Sequence, residues 1–266
     1  YLFGGVDAHA HRLNDLYEFK CQSKSWTRVL RNHTGGSSVT VPSVSSSKSA
    51  ASSSSFTSPA KTTQRPCARS EHTAVYVAYT DTMFVFGGVN DMGDYLCDFF
   101  EYDFVSQTWN KSLMPFARAG MAAIPLLSNK SILLHGGHNY AGYHNDMWLY
   151  DMTTGKWEEI TVANMPLSAH SSPGTTGTKS RGSSSSSSSL NEVPSKRSLH
   201  RMEIINQGKT ILMYGGYYYA PATQSYVYLD DLYMLDVGTY TWSKIALKPT
   251  VPTARSGNSF VVIPTI

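Results

Sequence analysis

Cysteine, charge and long apolar runs are all scarce in this chain. There are three cysteines in 266 residues, Cys21, Cys67 and Cys97; none form a Cys-x-x-Cys pair, and the odd count leaves one over. That argues against a disulfide framework and points to a reducing compartment, so an intracellular, cytoplasmic location is expected. No segment approaches the roughly 20 apolar residues that a membrane-spanning helix needs, so no membrane partner is expected. Only 15% of the residues are charged and the net charge is +3. Residues 31–66 carry Arg31, Lys48, Lys61 and Arg65 with no acid, and residues 168–197 carry Lys179, Arg181, Lys196 and Arg197 against Glu192. The remainder is therefore mildly acidic, and no basic face for nucleic acid is expected. Gly-x-Ser-x-Gly, Gly-x-Gly-x-x-Gly and phosphate-loop motifs are missing, which removes the commonest hydrolase and nucleotide signatures.

Against these gaps stands one pattern that occurs four times. An apolar run ends in Gly-Gly at Gly4-Gly5, Gly87-Gly88, Gly136-Gly137 and Gly215-Gly216, and a tryptophan follows at Trp26, Trp109, Trp157 and Trp242. Lys20, Asp103, Asp151 and Asp236 each precede their tryptophan by six residues. A constant interval of this kind reads as a hairpin with a turn of fixed length. Before that turn lie aromatic-rich runs such as Asp98-Phe99-Phe100-Glu101-Tyr102 and Asp146-Met147-Trp148-Leu149-Tyr150. They are apolar on both faces, as strands stacked between other sheets must be. A fourth element opens at Arg69, Arg118, Arg197 and Arg255 and precedes the next Gly-Gly run or, after Arg255, ends in Phe260-Val261-Val262-Ile263. Each unit thus has four strands, a to d in chain order, with Gly-Gly closing strand b.

Gly-Gly after an apolar strand, an aromatic-Asp strand end and a Trp six residues later resemble the kelch repeat. The interval from Gly87 to Gly136 is 49 residues, close to the roughly 50 of a kelch unit. Lys20 departs from the Asp pattern, and Met121 and Asn258 stand where His72 and His200 sit in the other units. The resemblance implies an all-β, kelch-type β-propeller with four four-stranded blades, one region spanning residues 1–266. Blade 1 is residues 1–30, completed or continued by a strand at 255–266; blade 2 is 67–112, blade 3 is 116–161 and blade 4 is 197–247. The ring either closes at four or continues in a larger propeller. Family habit and the absence of an initiator Met at Tyr1 favour the second.

Both long intervals fall between strand d and the next strand a, at 31–66 and 168–196. They are rich in Ser, Thr, Gly and Pro, including the run Ser183 to Ser189. Such segments bury too little to offset ordering entropy and are expected to be disordered.

Antiparallel order puts the b–c and d–a loops on one face. The b–c loops vary most, and variable loops on a fixed scaffold are where binding concentrates. The fourth carries Tyr217, Tyr218, Tyr219, Tyr226 and Tyr228, and the third carries Tyr140 and Tyr143. Tyrosine offers stiff contact area with a polar tip. These residues are candidate partner contacts, together with Arg69, Arg118, Arg197 and Arg255 on the same face. The resemblance implies that arginines so placed grip an acidic peptide; the competing expectation pairs each with a blade carboxylate such as Asp98, Asp146 or Asp231. His9, His11, His138, His144 and Asp146 fit no metal spacing, so no metal, cofactor or catalytic residue is assigned. The function expected is a scaffolding or substrate-recruiting protein-interaction module. The alternative is a propeller enzyme of carbohydrate-active or oxidase type with its site at the channel mouth.

Overall fold

In the computed structural model, the described residues are 1–29, 56–57, 62–161, 193–247, 251–259 and 261–263. They contain strands and three one-turn 3-10 segments, and no α-helix. The first sheet has three strands, β1 (Leu2–Val6), β2 (Arg12–Lys20) and β3 (Ser25–Arg28), in that order. Two short strands follow, β4 (Phe56–Thr57) and β5 (Thr62–Thr63). The second sheet is β6 (Thr73–Val77), β7 (Thr82–Phe86), β8 (Asp98–Asp103) and β9 (Thr108–Leu113), with β5 added beyond β9. The third comprises β10 (Ala122–Leu126), β11 (Ser131–His135), β14 (Met147–Asp151) and β15 (Lys156–Ile160), with β4 added beyond β15. Between β11 and β14 a separate hairpin, β12 (His138–Asn139) with β13 (Gly142–Tyr143), projects from the b–c loop. The fourth sheet is β16 (Arg201–Ile205), β17 (Thr210–Tyr214), β20 (Leu232–Asp236) and β21 (Thr241–Lys244). Its b–c loop carries a second hairpin, β18 (Tyr217–Ala220) with β19 (Ser225–Tyr228).

The fixed turn between strands c and d has a physical cause. Asp103 Oδ1 accepts hydrogen bonds from the backbone N–H of Val105 and Ser106, at 2.8 and 3.1 Å. Asp151 Oδ1 does the same for Thr153 and Thr154, and Asp236 Oδ1 for Thr239. These bonds hold the carboxyl of Asp103, through Ser106, and that of Asp236, through Thr239, below the usual range. Lys24, Gln107, Gly155 and Tyr240, each two residues before the Trp, all take left-handed backbone. The turn therefore has one shape in all four units, with or without the aspartate.

The Gly-Gly pair is a joint between consecutive repeats. The second glycine's N–H donates to the carbonyl of the next repeat's arginine: Gly5 to Arg69 (3.0 Å), Gly88 to Arg118 (2.8 Å), Gly137 to Arg197 (2.9 Å) and Gly216 to Arg255 (2.8 Å). At Gly136, with φ +66, an added Cβ would lie 2.7 Å from the Arg197 carbonyl oxygen. Positive φ and close backbone approach together leave room for glycine alone.

Two compact units make up the chain, Tyr1–Ala119 with Tyr150–Glu159, and Gly120–Leu149 with Ile160–Ile266. In the first, Phe3, Leu16, Met83, Val85, Phe100, Tyr102 and Trp109 form a buried cluster. In the second, Leu126, Leu133, Met147, Met202, Ile211, Met213, Leu235 and Trp242 do so. Three of the repeat tryptophans follow one packing rule: each lies against the residue that precedes Gly-Gly in the sheet before it. Trp109 meets Phe3 at 5.3 Å between ring centroids, Trp157 meets Phe86 at 6.1 Å, and Trp242 meets His135 at 5.4 Å. Trp26 touches rings of its own sheet, Phe19 and Tyr17.

Three expectations from the sequence change here. Strand a begins at Thr73, Ala122 and Arg201, four residues after its arginine, because the arginine backbone is bonded to the preceding repeat instead. The strand expected over 255–266 is absent among the described residues, and the first sheet stays at three strands. The insertion at 31–66 is ordered where it reaches a sheet edge: Thr57 and Phe56 pair with Lys156 and Trp157, and Thr62 and Thr63 with Lys111 and Asn110. Unpaired N–H and C=O groups along an outer strand template such additions. The expected disorder of the rest of 31–61 and of 168–192 lies outside the described residues.

Candidate partner-binding site

The arginines and the tyrosines of the candidate face have different surroundings. Arg69 is fully buried; its Nη1 donates to the Gly87 carbonyl (2.9 Å) and to Asp98 Oδ1 (2.8 Å). Arg197 is also fully buried and donates to the Gly215 carbonyl (3.0 Å) and bidentately to Asp231, at 2.6 and 3.0 Å. The two sites match group by group: Nε of Arg69 donates to the Cys67 carbonyl and Nε of Arg197 to that of Ser195. Arg118 is buried with its guanidinium over the Phe116 ring at 4.6 Å. The expectation that Arg69, Arg118 and Arg197 grip an acidic peptide is corrected by this placement. Drawing either ion-paired guanidinium outward would break a direct ion pair to a carboxylate largely removed from water, Asp98 or Asp231, with side chains 12% and 15% exposed, at a cost of about 3 kcal/mol. The fork geometry and paired charge make these arginines bolts between loop backbone and sheet. Arg255 differs: it is exposed, and its donors reach the Thr253 carbonyl and hydroxyl, with no carboxylate partner among the described residues.

The tyrosines, by contrast, are presented. In β18 and β19 the register pairs Tyr217 with Tyr228 and Tyr219 with Tyr226, and Tyr218 with Val227. Period-two alternation therefore sets Tyr217, Tyr219, Tyr226 and Tyr228 on one face of the hairpin. Their rings touch: Tyr217–Tyr228 at 5.8 Å, Tyr217–Tyr226 at 5.5 Å and Tyr219–Tyr226 at 5.4 Å. The row continues through Tyr143, 5.6 Å from Tyr217, to His138, stacked on Tyr143 at 5.3 Å. Tyr226 is 58% exposed, Tyr228 53% and Tyr219 37%, whereas Tyr217, Tyr218 and Tyr143 are half-buried. Tyr140, at the tip of the β12–β13 hairpin, is the most exposed of all.

The base of this row is anchored. Ser198 and Tyr217 exchange backbone hydrogen bonds at 2.9 and 3.0 Å. The buried Ser198 hydroxyl bonds His138 Nδ1 (2.9 Å) and donates to the Gly120 carbonyl (3.3 Å). His144 Nε2 bonds Asn139 Oδ1 (3.0 Å), which also accepts from the Ala141 N–H (2.9 Å). His138 and His144 are thus occupied in loop structure. In the first loop, Asp7 Oδ1 accepts from the N–H of both His9 and His11 at 2.9 Å, and the two rings are exposed. Among the described residues no group of three or more His, Cys, Asp or Glu is arranged to hold a metal ion.

Sequence reasoning named the tyrosines but missed the hairpin that orders them. The signal is present in hindsight as alternating Tyr217/Tyr219 and Tyr226/Tyr228 around Pro221. The role of Ser198 carried no signal, since its partners lie 60 and 78 residues away.

Antiparallel sheets repeated along the chain, joined by glycine-to-arginine backbone bonds and keyed by a tryptophan, define the fold class of a kelch-type β-propeller. The chain belongs to the kelch-repeat family: residues 49–184, just over half of it, match the model of the KLHDC2/KLHL20/DRC7 Kelch-repeats domain. It is also similar to two Arabidopsis thaliana proteins. It shares 27% identity over 245 residues with acyl-CoA-binding domain-containing protein 4, covering 78% of this chain and 35% of that protein. With acyl-CoA-binding domain-containing protein 5 it shares 25% identity over 268 residues, covering 99% of this chain and 32% of that protein. The chain thus spans about a third of the length of these relatives. No helix among its described residues is long and apolar enough to cross a membrane.

Proposed function

We propose that this chain is a protein-interaction module, scaffolding or substrate-recruiting, whose contact surface is the pair of b–c hairpins β12–β13 and β18–β19. The observation that carries this reading is the exposure of Tyr219, Tyr226 and Tyr228 on a hairpin that forms its own two-stranded sheet and adds nothing to the fourth sheet. Cross-strand pairing fixes the rings before any partner arrives. Such rings supply contact area at little further entropic cost. Arg255 adds an exposed cation; Arg69, Arg118 and Arg197 support the scaffold. The exposed thiols of Cys21 and Cys67 suit a reducing, intracellular setting.

The test replaces Tyr219, Tyr226 and Tyr228 with Ala together. Proteins captured by the variant and by the parent chain are compared by mass spectrometry, with melting followed in parallel. Loss of specific partners with a melting temperature shifted by no more than about 2–4 °C is expected. An unchanged partner set would remove the hairpins from the site.

A further inference from the structure

Resting on that reading of the hairpins, we infer that the segment this surface takes is a proline-rich stretch in the polyproline II conformation. Three observations lead there. First, the two hairpin stretches carry no charge: residues 210–229, between Lys209 and Asp230, contain no Asp, Glu, Lys or Arg, and neither do residues 131–145, and the exposed Arg255 lies outside both. Second, the nearby guanidinium of Arg197 is spent on Asp231. Third, the hydroxyls of Tyr219, Tyr226 and Tyr228 have no protein partner among the described residues, while their rings are locked edge-to-face or cross-strand.

This surface presents apolar ring faces beside unspent hydroxyl donors. A polyproline II chain is its complement. Its pyrrolidine rings are flat, apolar and uncharged, and its carbonyls make no internal hydrogen bonds, so they accept from tyrosine hydroxyls. The ligand is already ordered, so little entropy is lost on docking. An acidic peptide finds no cation in these two stretches. A sugar, whose hydroxyls seek strong acceptors, finds no carboxylate there. A β-strand ligand would leave the hydroxyls unused.

The experiment titrates the chain with decaproline and with a ten-residue Gly-Ser peptide, following tyrosine fluorescence and heat. Decaproline should saturate and the Gly-Ser peptide should not. The double variant Tyr226→Ala/Tyr228→Ala should weaken decaproline binding about tenfold or more, and Tyr226→Phe/Tyr228→Phe, which keeps the rings but not the hydroxyls, by about threefold. Raising salt from about 50 to about 500 mM should change the affinity less than about twofold, because no ion pair is screened. Failure of decaproline to saturate, or tighter binding of decaglutamate or cellohexaose, overturns the inference. If the Ala variants lose their captured partners while decaproline fails to bind, the ligand class is wrong and the site stands. If capture is also unaffected, both fall.

Discussion

Trp26 and Trp109 occupy the same place in successive repeats, yet Trp26 leaves 56% of its surface exposed and Trp109 only 6%. The strands around them differ in the same sense. All five residues of β7 are buried, whereas β1 buries Phe3 alone and all four residues of β3 are exposed. Trp109 rests on Phe3, an aromatic of the sheet before it, and also on Tyr102 at 4.8 Å. Among the described residues, Trp26 meets rings of its own hairpin only, the nearer being Phe19 at 5.0 Å. The motif therefore specifies the hairpin, and the core comes from the neighbour that the hairpin leans on. A repeat is half of a packing interaction, as expected of architectures that bury surface between adjacent units.

The largest expected effect tests this directly. Trp157 is fully buried among Tyr150, Phe99, Phe86 and Phe116. Trp157→Ala should cost roughly 3–5 kcal/mol in denaturant unfolding, as for other buried large-to-small changes. Trp26→Ala should cost no more than about 0.5 kcal/mol, the range of surface changes. Equal losses would show that the indole acts through its own hairpin after all.

The arginines give the next contrast. Arg69→Ala leaves the nearly buried Asp98 with Lys111 as its remaining cation, at 3.6 Å, and should destabilise by about 3 kcal/mol. Arg255→Ala, with no carboxylate to abandon, should change stability by under about 0.5 kcal/mol. Comparable midpoints for the two variants would contradict the bolt assignment.

Glycines at one repeat position separate the two sheets more finely. Gly5 and Gly88 share φ +100, but a Cβ on Gly88 would lie 2.6 Å from the Ser70 carbonyl oxygen, and one on Gly5 meets nothing within 4 Å. Gly5→Ala carries backbone strain of about 1–2 kcal/mol, and Gly88→Ala adds a clash, so the second should melt lower. The reverse order would mean that strain alone governs the joint.

The smallest effect is in pH. Burial, and next the Arg69 guanidinium, push His72 down to about 4, against an opposing hydrogen bond involving the Phe3 backbone. The unfolded imidazole takes its proton near 6.5. Neutral His72 therefore stabilises fully above pH 6.5, and that contribution is lost as pH falls from 6.5 toward 4. His72→Met, the residue that the third repeat carries as Met121, should flatten the stability–pH curve across that window. An unaltered slope would assign acid sensitivity to other groups, such as the buried His135–His200 pair at 2.9 Å.

Much of the fold was legible because repeats make local rules visible. Gly-Gly, the turn six residues before Trp and the doubly apolar strands recur, and each recurrence tests the last. The site was legible as composition, since five tyrosines in one loop stand out against any background. It was not legible as geometry. Arg69 and Arg255 read alike in sequence, and only their surroundings make one a buried ion pair and the other an exposed cation. Met121 at the place of His72 and His200 gave no hint that one His is half-buried and the other fully buried edge-to-face with His135.

What the sequence determined alone is the hairpin chemistry: where each strand turns and which strands are apolar on both faces. These depend on contacts within a few residues and on dihedral preferences that a side chain carries with it. What only the tertiary structure decided is which tryptophan is buried, which arginine is neutralised and which tyrosines remain at the surface. Burial and desolvation belong to a neighbourhood assembled from residues far apart in the chain, so no single repeat contains them.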